Sequence, residues 1–130
     1  MNTQGVHLLC EMSGCDVAAL SDLAAIQAAM KSAASAANVE VMDGFFHAFA
    51  PSGVTGLLCL SESHFSIHTW PEHGYAAADL YTCGDAARPS LAMETLAKAL
   101  KARDIEVRTL ERGVWDDALG RFRNRDFNSK

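Results

Sequence analysis

The residues best suited to chemistry crowd into positions 61 to 84. The stretch "SESHFSIH" (61–68) holds three serines and two histidines in eight residues, flanked by apolar runs, and Cys83 closes the next run. A strand that only packs has little use for so many hydroxyl and imidazole groups. Two familiar chemistries can be weighed from spacing. His64, Ser66 and His68 share one strand face, yet at about 3.3 Å per residue positions 64 and 68 stand about 13 Å apart. A single metal ion held at about 2 Å by each ligand does not bridge that gap, so no metal is expected. Cys83 with His68 as base would make a thiol nucleophile, but neither local signature of such hydrolases surrounds Cys83. In "LYTCG" the cysteine reads equally as a small residue ending a strand before a glycine turn.

The elements that must carry these groups follow from periodicity. "VHLLCEM" (6–12) alternates as a strand, and Asp16 or Ser21 opens an Ala-rich helix to about Ala37. Strands are predicted over 39–50, 54–60, 64–70, 75–83 and 105–111, with turns at 51–53 and 71–74 and a second helix from Pro89. This β-α-β-β-β-β-α-β order with short connections predicts an α+β fold: a two-layer antiparallel sheet with helices on one face. The other sheet face then needs cover. Residues 114–130 are polar and expected to be only partly ordered.

Register sharpens the picture. A four-residue hairpin loop at 71–74 pairs Trp70 with Tyr75, so His68 faces Ala77, Ser66 faces Asp79, and Cys83 lands opposite Glu62, beside the Glu62-Ser63 bond. A turn at Ser61-Glu62 pairs Leu60 with Ser63 and sets Thr55 beside His68. His68 is roughly 16 Å along the strand from Ser63. The chemistry thus splits into two half-sites: Glu62, Ser63 and Cys83 in one, Thr55 and His68 in the other.

Bulk properties exclude some functions. With 130 residues, 49% apolar and 21% charged, the chain reads as one domain over 1–130. A net charge of −5, with the only basic cluster in "GRFRNRD", argues against nucleic acid and suits a cationic small molecule. No apolar run nears the roughly 20 residues of a membrane span, and the N-terminus lacks a signal peptide's basic start, so no membrane partner and a cytoplasmic location are expected. Cys10, Cys15, Cys59 and Cys83 form no CxxC pair, and a reducing compartment leaves them as free thiols.

The block "SESHFSIHTWPEHGYAAADLYTCG" (61–84), with "FHAFAPSGVTG" (46–56), "HLLCE" (7–11) and "LERG" (110–113), resembles the short, pyruvoyl-dependent S-adenosylmethionine decarboxylases of bacteria and archaea. The resemblance implies self-processing. Ser63 attacks the Glu62 carbonyl, the resulting ester undergoes β-elimination, and the chain divides into 1–62 and 63–130 with Ser63 converted to a pyruvoyl cofactor. It assigns proton shuttling in processing to His68, with the Thr55 hydroxyl in support. The family commonly has serine at position 55. The pyruvoyl group acts as an electron sink through a Schiff base with the substrate amine, and Cys83 is the matching proton donor. An ordinary thiol, with a pKa of about 8.5, keeps its proton at neutral pH and suits that role. Phe49 matches an adenine-stacking aromatic, Glu72 a carboxylate on the ribose hydroxyls, and Glu11 an acidic residue suited to a sulfonium cation. The family is described as homodimeric with shared sites. The register argument agrees, since only a twofold mate can bring Thr55 and His68 to Ser63. Pairing of the open sheet faces would give an αββα sandwich.

The product expected is decarboxylated S-adenosylmethionine for spermidine and polyamine biosynthesis. A pyruvoyl enzyme of the same fold acting on ornithine or arginine is the alternative, which Ala48, Thr55 and His73 leave open. Phe49 speaks against it, because a diamino acid offers no ring to stack. An uncleaved regulatory homologue is the third reading, and intact Ser63, His68 and Cys83 weigh against it.

Overall fold

The computed structural model describes residues 3–61 and 63–123. Strand β1 (Gly5–Ser13) leads into two helices, α1 (Val17–Ser21) and α2 (Leu23–Ala36), where the sequence predicts one. The reason is a pair of caps. The Asp16 carboxylate accepts the Ala19 N–H at 3.1 Å and the Asp22 carboxylate accepts the Ala25 N–H at 3.1 Å. Asp22 is extended (φ −94, ψ 108), which ends α1 and starts α2. Ser21 caps neither helix; its hydroxyl donates to Val17 O at 2.9 Å.

Strands β2 (Val41–Ala48), β3 (Val54–Leu60), β4 (His64–Trp70) and β5 (Tyr75–Thr82) follow as a meander, then α3 (Pro89–Ala99) and β6 (Asp104–Arg112). The sheet runs β2-β3-β4-β5-β1-β6, antiparallel throughout, so β1 is inserted between β5 and β6. The predicted α+β class is therefore the observed one. Residues 114–123, expected to be only partly ordered, form a hairpin of β7 (Val114–Asp116) and β8 (Arg121–Arg123). Trp115 packs edge-on to Phe122 with ring centroids 5.1 Å apart, and Arg123 pairs with Asp116 at 2.8 Å. Residues 124–130 lie outside the described residues.

All three helices pack on one sheet face. Alternate residues of β5 (Ala76, Ala78, Leu80) are buried there with Leu8, Cys10 and Met12 of β1 and Phe65 and Ile67 of β4, against Ile26, Met30, Met93 and Leu96 of the helices. Close packing sets one glycine: a Cβ on Gly56 would lie 2.5 Å from the Phe46 ring. Among the described residues no helix covers the opposite face. It presents Phe45 and Leu57, paired with each other at 65% and 44% exposure, and Leu9 at 39% beyond the Ser66–Asp79 pair.

The predicted registers are the observed ones. Trp70 pairs with Tyr75, His68 with Ala77, Ser66 with Asp79, and Thr55 with His68. The Leu60 N–H donates to Ser63 O at 2.9 Å, closing the turn. Glu62, and with it the predicted Cys83 pairing, falls outside the described residues.

Candidate active site

Three rungs of the open face position the polar groups. Cys59, His64, Tyr81 and His7 form one rung, Leu57, Ser66, Asp79 and Leu9 the next, and Thr55, His68, Ala77 and Glu11 the third. Rungs are two residues apart, about 7 Å. Ser63 precedes the first rung and His68 sits on the third, so the two half-sites stand at opposite ends of β4.

At the His68 end, Thr55 Oγ1 and His68 Nδ1 are 3.1 Å apart. They line an open cleft of ≈ 350 Å³ with Phe49, Trp70 and Glu72. Phe49 is half-exposed and lies against His47, centroids 4.5 Å apart. Glu72 is carried by the short 3-10 turn Pro71–His73 that joins β4 to β5. Glu11 belongs to this end and not to Ser63: its carboxylate accepts the Tyr75 hydroxyl, and Tyr75 stacks on Trp70 with centroids 5.4 Å apart. That hydrogen bond, then burial, push the Tyr75 phenol up to about 12. Trp70 faces the cleft and was missed as a site residue; its even-numbered place on the His68 face was the available signal.

At the other end, the Ser63 hydroxyl donates to the Tyr81 carbonyl. Ser63 lines one cleft (≈ 230 Å³) and Cys83 another (≈ 330 Å³), and the two clefts share Thr82 and Gly84 as their common wall. Gly5 makes room for the thiol, since a Cβ there would lie 2.8 Å from Cys83 Sγ and 2.6 Å from Thr82 O. Cys10 and Cys15 are buried on the helix face, and burial first of all pushes the Cys10 thiol up to about 11. Cys59 is exposed, and Cys83 is the thiol whose cleft adjoins the one that Ser63 lines.

Between the two ends lies a network that spacing within β4 did not reveal. Asp79 Oδ2 is 2.6 Å from His7 Nε2 and 2.7 Å from His64 Nε2, while the Ser66 hydroxyl donates to Oδ1. Burial alone would raise the Asp79 pKa; the hydrogen bonds from Ser66, His7 and His64 outweigh it and hold the carboxyl below its ordinary value. The ionised carboxylate accepts both Nε2–H groups, leaving His7 Nδ1 to accept from Arg112 Nη1 at 3.3 Å. The Arg112 guanidinium lies 4.2 Å over the Tyr81 ring. His64 thus clusters with His7 and Asp79 rather than with His68. These three groups lie within 4.8 Å of one another, a donor set known from metal sites. Here each Nε2–H is engaged by the carboxylate and a cation already sits on His7, so we read a hydrogen-bonded network.

The sequence and the antiparallel α+β fold match known proteins closely. The family model for S-adenosylmethionine decarboxylase matches residues 6–113. The chain is 48% identical over 114 residues to the S-adenosylmethionine decarboxylase proenzyme 2 of Halalkalibacterium halodurans, covering 88% of this chain and 90% of that one. It is 45% identical over 116 residues to the S-adenosylmethionine decarboxylase proenzyme of Caldanaerobacter subterraneus, covering 89% and 94%. The crystal structure of the adenosylmethionine decarboxylase of Aquifex aeolicus superposes with a TM-score of 0.81 at 34% identity, covering 90% of this chain and 97% of that one. The chain belongs to the S-adenosylmethionine decarboxylase family. Among the described residues, no helix is long and apolar enough to cross a membrane.

Proposed function

We propose that this protein is a self-processing decarboxylase of S-adenosylmethionine. Family membership over 108 of its residues (6 to 113) carries the activity and substrate, and the name proenzyme given to its relatives supports self-processing. In the proposed maturation Ser63 Oγ attacks the Glu62 carbonyl and the peptide becomes an ester. Elimination releases Glu62 as a carboxylate, and water then displaces ammonia from residue 63, leaving chains 1–62 and 63–130. The resulting pyruvoyl group supplies an electron sink for loss of CO2 from an α-amino acid.

The residues at Ser63 fit that group. Its carbonyl is held by the Leu60 N–H at 2.9 Å, so the residue keeps its place when the bond before it breaks. Cys83 lies just across Thr82 and Gly84 and serves as the proton donor. Phe49 and Trp70 give aromatic walls for an adenine, Glu72 a carboxylate for ribose hydroxyls, and Glu11 a negative charge for the sulfonium. His68, with Thr55, shuttles protons during processing. Both stand at the wrong end of β4 for their own Ser63, so the reading includes a homodimer in which each open face covers its mate and each site draws on both chains. The exposed Phe45 and Leu57, paired on neighbouring strands, and Leu9 further along the same rung support such an interface. The product would feed polyamine synthesis in the cytoplasm, and no metal is required.

Intact mass is the direct test. Two chains, 1–62 and 63–130, are expected, the second blocked at its N-terminus; a persistent unbroken chain overturns the processing claim. CO2 release with S-adenosylmethionine, ornithine and arginine in parallel checks the substrate. Release from S-adenosylmethionine alone is expected. In the Cys83→Ala protein it falls about 100-fold or more.

A further inference from the structure

Tyr81 touches both Ser63 and Cys83. Its carbonyl accepts the Ser63 hydroxyl. Its ring edge and the Cys83 sulfur converge on the same spot, 3.2 Å and 2.8 Å from where a Gly5 Cβ would stand. Tyr81 lies on β5 and Cys83 is the first residue after that strand, two positions on. The ring has little freedom. Arg112 covers it at 4.2 Å, and His7 flanks it with centroids 5.5 Å apart. His7 and Arg112 are themselves tied to Asp79. Burial, and after it the hydrogen bond to Cys83, push the Tyr81 phenol up.

We propose that Tyr81 is a positioning residue for this site: its backbone seats the Ser63 hydroxyl, and its hydroxyl, clamped by Arg112 and His7, holds the Cys83 thiol in place. The functional part rests on the reading of Cys83 as proton donor. Around the thiol stand Tyr81 from β5, Glu111 from β6 and Asp85 from the loop after β5, while Arg112 from β6 and His7 from β1 pack on the Tyr81 ring. Of these, Tyr81 is the neutral donor whose loss leaves the charges in place.

The test is the pH dependence of Cys83 alkylation by iodoacetamide in the folded, processed protein, followed on the Cys83 peptide by mass. A hydroxyl donating to the thiolate stabilises it, so Tyr81→Phe should raise the alkylation midpoint by about half to one pH unit. Decarboxylation should lose about three- to tenfold in kcat with KM within about twofold. Arg112→Gln, which frees the ring, should move the midpoint the same way. An unmoved or lowered midpoint in Tyr81→Phe, with the parent's near-UV circular dichroism, overturns the proposal. A Cys83→Ala protein with full activity would instead overturn the proton-donor reading, and the thiol midpoint would still report on Tyr81.

Discussion

His68 Nδ1 lies 3.1 Å from Thr55 Oγ1 across the β3–β4 pair, while Ser63 immediately precedes β4, beyond the end of that strand farther from His68. The imidazole is therefore held beside a hydroxyl of its own chain and away from that chain's Ser63; in the proposed reading it serves the serine of a second copy.

That relationship predicts complementation. Ser63→Ala and His68→Ala homodimers should each stay uncleaved. In heterodimers isolated after mixing, the His68→Ala chain should cleave, using the partner's intact histidine, and the Ser63→Ala chain should not. Intact mass of the separated chains reads this directly. Heterodimers in which neither chain cleaves would count against the shared site.

The cleft at the His68 end predicts a split between binding and turnover. Phe49→Ala removes a stacking wall and Glu72→Gln a charged acceptor. Each should raise KM for S-adenosylmethionine about tenfold with a smaller change in kcat. A KM unaffected by Phe49→Ala would remove the adenine from this cleft.

Asp79 predicts acid sensitivity. Its folded pKa lies below the ordinary value, so its stabilisation is fully present above the unfolded-state pKa, about 3.9, and is lost as pH falls through the folded value. Asp79→Asn removes the negative charge and, with its oxygen kept on the two histidines, turns an N–H2 toward the Ser66 hydroxyl in place of an acceptor; it should cost about 1–3 kcal/mol at neutral pH. Denaturant unfolding should show that difference shrinking as the pH drops below the unfolded-state value. A constant difference down to strong acid would assign the loss to packing.

Tyr75 predicts an alkaline signature. Its phenol is held up at about 12, first by the hydrogen bond to Glu11. The stabilisation is therefore present below the ordinary tyrosine value, about 10, and fades as pH rises through the folded value. Tyr81 is also pushed up, so absorbance at 295 nm should show both tyrosines ionising late, with the midpoint of one dropping in Glu11→Gln. A titration unchanged by that substitution would show that Glu11 does not hold Tyr75 up.

Much of this arrangement was legible in the chain because β-structure has a period of two. Alternation alone determined that His64, Ser66, His68 and Trp70 share one face. The short turns at Ser61-Glu62 and 71–74 determined that Thr55 meets His68 and Ser66 meets Asp79, and so that His68 is remote from Ser63. The helix boundary was misjudged because Asp22 competes with Asp16 as a cap, a choice settled by one extended residue inside an Ala-rich run.

What only the tertiary structure decided is which strand lies beyond β5. Short hairpins leave β1 and β6 unplaced, and their insertion next to β5 brings His7 to Asp79 across 72 residues and Arg112 to His7 across 105. No local pattern announces such partners, because hydrogen-bond register propagates only between strands joined by a turn. The surroundings of Ser63 and Cys83 were therefore half visible. The β4–β5 hairpin that they flank was written in the sequence, and the clamp on Tyr81 came from the closing of the sheet.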